Sequence, residues 1–317
     1  MRHVALLLGL ASAPVLTLGG QTTADYQRCL RAGSDAAALA GFERQVSEGG
    51  ATGAFAAGCV DHARRRHEAA SRHFEAAAAA APRSAAAWTM YGTAASAHLP
   101  TASLFWKARN ASKLKRAFET AIALEPANLD ARTGLMQFLL QAPGFAGGDK
   151  AKAREQADAI ARTDSWRGTW ARVEVAQATG DADLARRALS EATTAFPDSS
   201  QPWLALAGGA ADEGDGLAAW ATLERWRKLR PDAAALGFAV GRVAAAIGER
   251  VDEGERALRS YLGAPRRPSD PPVSAAQFRL GQLLERAGRT ADARAAYGAA
   301  LRADPQLTAA KRALARL

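Results

Sequence analysis

The stretch that decides the fold is FRLGQLLERAGRTADARAAYGAALRADP at residues 278–305. Ala293, Tyr297 and Ala300 are separated by steps of four and three residues, which place all three on one face of a helix. Pro305 follows five residues after Ala300 and ends that helix, because proline lacks a backbone N–H and restricts the residue before it. The stretch therefore predicts a helix that buries one apolar face and stops at a proline.

The same steps of four, three and five recur four times earlier in the chain. The matching sets are Ala70, Phe74, Ala77, Pro82; Leu114, Phe118, Ala121, Pro126; Ala185, Leu189, Ala192, Pro197; and Ala219, Leu223, Trp226, Pro231. Glycines precede each set, such as Gly281 and Gly288 before Ala293. We interpret the first glycine as a point where two helices approach closely and the second as the turn between them. Self-similarity at a fixed period indicates a repeat architecture.

These residues resemble the tetratricopeptide repeat, a 34-residue unit that forms an antiparallel pair of helices. The resemblance implies an all-α fold, a right-handed superhelical solenoid of antiparallel helix pairs. About seven units cover residues 51–307, with insertions near residues 99–116 and 141–154. Their boundaries are 51–84, 85–128, 129–165, 166–199, 200–233, 234–273 and 274–307. Residues 21–50 and 308–317 are predicted to be capping helices, which repeat arrays need because their end units expose an apolar face.

The N-terminal 20 residues predict a cleaved signal peptide. A short basic start is followed by the uncharged run VALLLGLASAPVLTL at Val4–Leu18, which is too short to span a membrane. The segment ARTGLMQFLLQAPGFAGGDKAKA at residues 131–153 is also similar to exported bacterial repeat proteins that share its glycine turn. We therefore expect a periplasmic or secreted protein. In that compartment Cys29 and Cys59 could pair, although two small buried side chains are the alternative.

The composition excludes a disordered chain, and the cysteine spacing excludes a zinc site. The 317 residues are 48% hydrophobic, which is enough apolar surface to fold, and the two cysteines lack the spacing of a zinc site. No nucleophile–histidine pair, carboxylate pair or metal-ligand cluster is evident, so we expect no enzyme, no cofactor and no metal. The formal charge is +9, but acidic and basic residues alternate through most of the chain. We expect no nucleic-acid partner.

The main functional prediction is a protein–protein interaction scaffold in the bacterial cell envelope. The resemblance implies that the first helix of each unit lines a concave groove, in which exposed aromatic and arginine side chains anchor a partner segment of a protein or peptide. Projecting the repeat pattern places seven residues on or near this groove: Trp170, Glu174, Phe238, Arg242, Phe278, Gln282 and Arg286.

The alternative is binding of an anionic polymer or of lipid headgroups at the envelope. It depends on the densest basic run of the sequence, in the first insertion, where Leu104, Phe105 and Trp106 immediately precede the charges. The candidate residues are Lys107, Arg109, Lys113, Lys115 and Arg116. Aromatic side chains beside a basic stripe suit an anionic surface and would give a peripheral contact with the envelope. A solvated helix face explains the same run without any ligand.

Overall fold

The computed structural model describes residues 22–265 and 269–317, and within these ranges all regular elements are helical. The all-α prediction is confirmed. The predicted signal peptide, residues 1–20, lies outside the described residues. No helix in the described part of the chain is long and apolar enough to cross a membrane.

The helices form two compact units, of which the first ends at Asp164. Two short helices come first, followed by three antiparallel pairs, α3–α4, α5–α6 and α7–α8. The bounds are α1 Thr23–Arg31, α2 Ala36–Gln45, α3 Gly50–Ala63, α4 His67–Ala80, α5 Ala85–His98, α6 Leu104–Leu124, α7 Leu129–Gln141 and α8 Lys150–Thr163.

The second unit runs from Ser165 to Leu317 and contains four antiparallel pairs and a final short helix. The bounds are α9 Ser165–Thr179, α10 Ala182–Ala195, α11 Ser200–Asp212, α12 Gly216–Leu229, α13 Ala234–Ile247, α14 Val251–Gly263, α15 Val273–Arg286, α16 Thr290–Ala303 and α17 Thr308–Arg316. Trp203 and Trp226 stack in its main core, with ring centroids 5.9 Å apart.

Short polar side chains start many of the helices. Ser84 accepts a hydrogen bond from the backbone N–H of Ala87 at the start of α5, and Asn128 does the same for α7. Such caps satisfy N–H groups that have no partner inside the helix. Asp149 accepts two such bonds at the start of α8, so the glycine turn before it ends in a helix cap.

The repeated apolar triads lie in the cores of the two units. Apart from Ala185, which is partly exposed, every helical member of the five sets is buried. Phe74, Phe118 and Tyr297 pack against glycines of the preceding helix. A Cβ built on Gly281 would lie 2.5 Å from the Tyr297 ring, and one on Gly58 would lie 2.6 Å from the Phe74 ring. In each of these pairs the two helices pack closely, because the first helix has no side chain at the position that the ring occupies.

A disulfide between Cys29 and Cys59 joins α1 to α3. Both cysteine side chains are fully buried, and the rings of Phe42, Phe55 and Phe74 pack in series through α2, α3 and α4. The N-terminal helices are thus attached to the first pair by a covalent bond as well as by apolar contact.

The two insertions have different structures. The first makes α6 21 residues long, whereas α4, α8, α10, α12 and α16 each have 14. The second forms a short 3₁₀ turn at Gly144–Ala146. Gly147 follows in the left-handed region with φ of 96°, and a Cβ on Gly148 would collide with the Ala142 carbonyl oxygen. Both positions therefore require glycine.

Candidate functional site

Three first helices of the second unit, α11, α13 and α15, pack side by side. Arg242 of α13 reaches across to α11, where its Nη2 donates to Asp212 Oδ2 at 2.8 Å. Its guanidinium lies over Gly208, where a Cβ would be 2.2 Å from Arg242 Cζ. Because residue 208 is glycine, the guanidinium can lie directly on the surface of α11.

Arg279 of α15 lies close enough to Arg242 for the two cations to repel each other. Burial, followed by the Arg242 charge, lowers the pKa of the Arg279 guanidinium, and Asp212 partly offsets this. Its hydrogen-bond partner is the amide oxygen of Gln282, at 2.9 Å, and its guanidinium also lies 5.6 Å from the Phe278 ring centroid. Neither of these neighbours carries a negative charge.

We call Asp212, Arg242, Arg279 and Gln282 the arginine face. Arg242 forms an ion pair with Asp212, and the charge of the same carboxylate partly offsets the lowering of the Arg279 pKa. In addition, Arg242 Nε is buried and has no hydrogen-bond partner within residues 22–265 and 269–317. Guanidinium groups bind carboxylates through charge-assisted, often paired hydrogen bonds. This face can therefore accept another carboxylate.

The structure divides the seven predicted groove residues among different environments. Arg242 and Gln282 belong to the arginine face, and Phe278 is partly buried with its ring 5.7 Å from that of Tyr297. Arg286 is exposed and lies near Gly248. Phe238 is 7% exposed and packs on Tyr261 of α14. It is a core residue because its ring points toward the second helix of its own pair.

Trp170 and Glu174 lie earlier in the same unit, on α9. Trp170 is partly buried, packs edge-on against Trp166 at 5.7 Å and borders a small core formed by Val173, Ala188 and Leu189. Glu174 is also partly buried. The described neighbours of Trp170 belong to α9 and α10 rather than to α13 and α15.

The predicted basic residues all lie on α6, in the first unit. Lys113 pairs with Glu75 at 2.7 Å, and Lys115 approaches Glu119 at 3.6 Å. Lys107, Arg109 and Arg116 have no carboxylate within ion-pair distance in the part of the chain that the structure describes. The run is thus partly neutralised at its C-terminal end, and Lys107 and Arg109 near its start are not.

Sequence reasoning missed Arg279 and Asp212. Asp212 stands beside Glu213 at a helix end, where a carboxylate is ordinary, and Arg279 is one of many arginines. The available signal was the pair Gly208–Gly209 in the middle of a predicted helix, because glycine there is costly unless another group occupies the space.

Among the described residues, no group of three or more His, Cys, Asp or Glu side chains is arranged to hold a metal ion. The arginine face contains guanidinium, carboxylate and amide groups but no nucleophile.

Comparison with solved structures identifies the architecture. A crystal structure of a tetratricopeptide repeat protein from Parabacteroides merdae matches with a TM-score of 0.51 at 11% identity, covering 86% of this chain and 97% of that one. The chain has the tetratricopeptide-repeat fold. Yeast Tom70 matches with a TM-score of 0.54 at 14% identity over 84% of this chain, which spans only 56% of the Tom70 chain. No family model matches the sequence, and no curated protein is significantly similar to it.

The different environments of Phe238 and Arg286 lead to a prediction about stability. Replacing Phe238 by Ala removes a buried ring and should lower the free energy of unfolding by about 3–5 kcal/mol. Replacing the exposed Arg286 by Ala should change it by less than about 0.5 kcal/mol. Urea denaturation followed by circular dichroism measures both values. Equal effects of the two substitutions would contradict the assignment of Phe238 to the core.

Proposed function

We propose that this protein is a non-enzymatic scaffold that binds an extended, acidic segment of a protein partner across α11, α13 and α15. The observation that carries the proposal is the charge arrangement of the arginine face. Arg279 is partly buried beside a second cation, and its hydrogen-bond acceptor is a neutral amide. A partner carboxylate placed there would relieve the repulsion between the two guanidinium groups and gain charge-assisted hydrogen bonds.

Two further features support this proposal. The tetratricopeptide-repeat fold presents a series of first helices side by side, which suits a long and narrow ligand rather than a compact one. Phe278 lies next to Arg279 and remains partly exposed. An aromatic ring beside an arginine is a common anchor in protein interfaces. Together they favour a segment that alternates acidic and apolar side chains.

A peptide-display selection against the chain tests this function. We expect extended dodecapeptides rich in Asp and Glu to be enriched at physiological salt. Their affinity, measured by fluorescence anisotropy, should fall roughly tenfold when Arg279 is replaced by Gln, because one charge-assisted hydrogen-bonding group is lost. Arg302→Gln, an exposed substitution on the second helix α16, is the matched control and should leave the affinity unchanged.

Two results would contradict the proposal. If the selected peptides are not enriched in acidic residues, the surface does not bind carboxylates selectively. Acidic peptides that bind the Arg279→Gln and Arg302→Gln variants equally well would place their binding elsewhere on the chain.

We also propose that the protein acts outside the cytoplasm, in the periplasm or after secretion. The uncharged run at Val4–Leu18 after a basic start supports export, and so does the Cys29–Cys59 disulfide, because disulfides persist in oxidising compartments. Protein recovered from the envelope fraction of its source cells should begin near Gln21 when its N-terminus is sequenced. Recovery from the cytosol with Met1 or Arg2 at the N-terminus would contradict export.

A further inference from the structure

The first half of α6 extends beyond the body of its helix pair. The helix is seven residues longer than the other second helices named above, which corresponds to about 10 Å of additional length. Its buried residues begin only at Leu114, ten positions after the start. The preceding turns therefore contribute little to the core of the first unit.

This extension carries two of the most exposed apolar side chains of the described residues. Leu104 is 83% exposed and Phe105 is 76% exposed. Trp106, the next residue, turns back and packs edge-on against His98 of α5, with ring centroids 4.7 Å apart. The Ser103 hydroxyl accepts a hydrogen bond from the Trp106 N–H, which fixes the first turn. Trp106 thus holds the extension against α5, and the side chains of Leu104 and Phe105 remain in solvent.

The charged residues that flank these apolar residues in the sequence are all positive, whereas in space the Glu68 carboxylate lies 4.0 Å from Nε2 of His98, the ring on which Trp106 packs. No acidic residue occurs between Glu75 and Glu119 in the sequence. Lys107 and Arg109 follow Phe105 within the next turn, and neither has an ion-pair partner in the described parts of the chain. Lys113, one turn further along, is paired with Glu75. Two of the free cations, Lys107 and Arg109, therefore lie next to the exposed apolar side chains, and the third, Arg116, lies farther along the helix.

We propose that the α6 tip, defined as Leu104, Phe105, Lys107 and Arg109, docks the protein on an anionic lipid surface. The order of the residues along the helix favours lipid over a protein groove. Leu104 and Phe105 occupy the first turn, and Lys107 and Arg109 lie roughly 3–8 Å farther along the axis. Apolar side chains at the end of the helix can enter the acyl boundary while the cations behind them meet the phosphates. This docking uses none of the residues of the arginine face.

Flotation with phospholipid vesicles tests the proposal. The full chain and a chain lacking residues 1–20 are compared, because the apolar run at Val4–Leu18 can itself bind lipid. We expect both chains to bind vesicles of phosphatidylcholine with 30% phosphatidylglycerol, and to bind phosphatidylcholine alone much more weakly. In the shorter chain, the double substitution Leu104→Ala/Phe105→Ala should lower the partition coefficient by about tenfold or more, as should Lys107→Glu/Arg109→Glu.

Matched controls separate the α6 tip from general hydrophobicity and charge. Leu217→Ala and Phe145→Ala remove side chains that are 89% and 96% exposed, and Arg256→Glu/Arg294→Glu changes the net charge as much as the basic double substitution does. These variants should retain the partition coefficient of the parent chain to within about twofold. All the substituted positions are exposed except Lys107, which is partly buried, and thermal denaturation followed by circular dichroism checks that every variant folds.

A fluorescent label locates the contact directly. An environment-sensitive dye on Leu104→Cys should shift to shorter wavelength when anionic vesicles are added, and the same dye on Leu217→Cys should not. Three results would overturn the proposal: no binding of the shorter chain to anionic vesicles at low salt, equal losses in control and tip variants, or a shift at both labelled positions. Binding to soluble polyglutamate or heparin without partition into vesicles would also overturn it and would assign the basic residues to an acidic polymer.

Discussion

The contact on which this fold depends is a large side chain of one helix packed against a glycine of its antiparallel partner. Tyr297 lies against Gly281, Phe74 against Gly58 and Leu258 against Gly241, and the Phe118 ring contacts both Gly92 and Gly134. These glycines cost backbone entropy within a helix, but they allow the second helix to pack at short distance. In these four pairs, α3–α4, α5–α6, α13–α14 and α15–α16, the two helices pack closely because their facing surfaces are complementary in shape.

This packing within the pairs determines which helix surfaces remain uncovered. In α3, α5, α13 and α15 the glycine side is covered by the second helix of the same pair, so the other side meets the next first helix or solvent. The corresponding surface of α11, α13 and α15 carries two guanidinium groups and the Asp212 carboxylate. The charge there is balanced only in part, which suits a surface that gains its last counter-ion from a partner. In the first unit, the lengthened α6 extends apolar and basic side chains away from the core.

The sequence predicts the burial of side chains that pack within their own pair of helices. The spacing of Ala293, Tyr297 and Ala300 repeats because each pair must solve the same packing problem, and their burial follows from that spacing. The prolines and capping residues are also local signals. For this reason the all-α fold and the buried triads were predictable from one chain.

The candidate sites were less predictable because they depend on neighbouring pairs. Phe238 and Arg242 are four residues apart and share a helix face by spacing, yet Phe238 packs on α14 and Arg242 crosses to α11. A small rotation of α13 decides between these directions, and helical periodicity does not fix it. Arg279 likewise can be recognised as a site residue only when the position of Arg242 is known. The exposure of Leu104 and Phe105 depends on where α5 ends, which places Trp106 against His98.

A double-mutant cycle between Gly281 and Tyr297 tests the central packing contact most directly. The free energy of unfolding is measured by urea denaturation for the parent chain, Gly281→Ala, Tyr297→Leu and the double variant. A methyl group at position 281 collides with the tyrosine ring, and a smaller leucine should relieve part of that collision. The account predicts that the double variant is more stable than the sum of the single effects implies, by about 1 kcal/mol or more. Additive effects, within about 0.5 kcal/mol, would contradict the claim that ring and glycine hold the helix pair together.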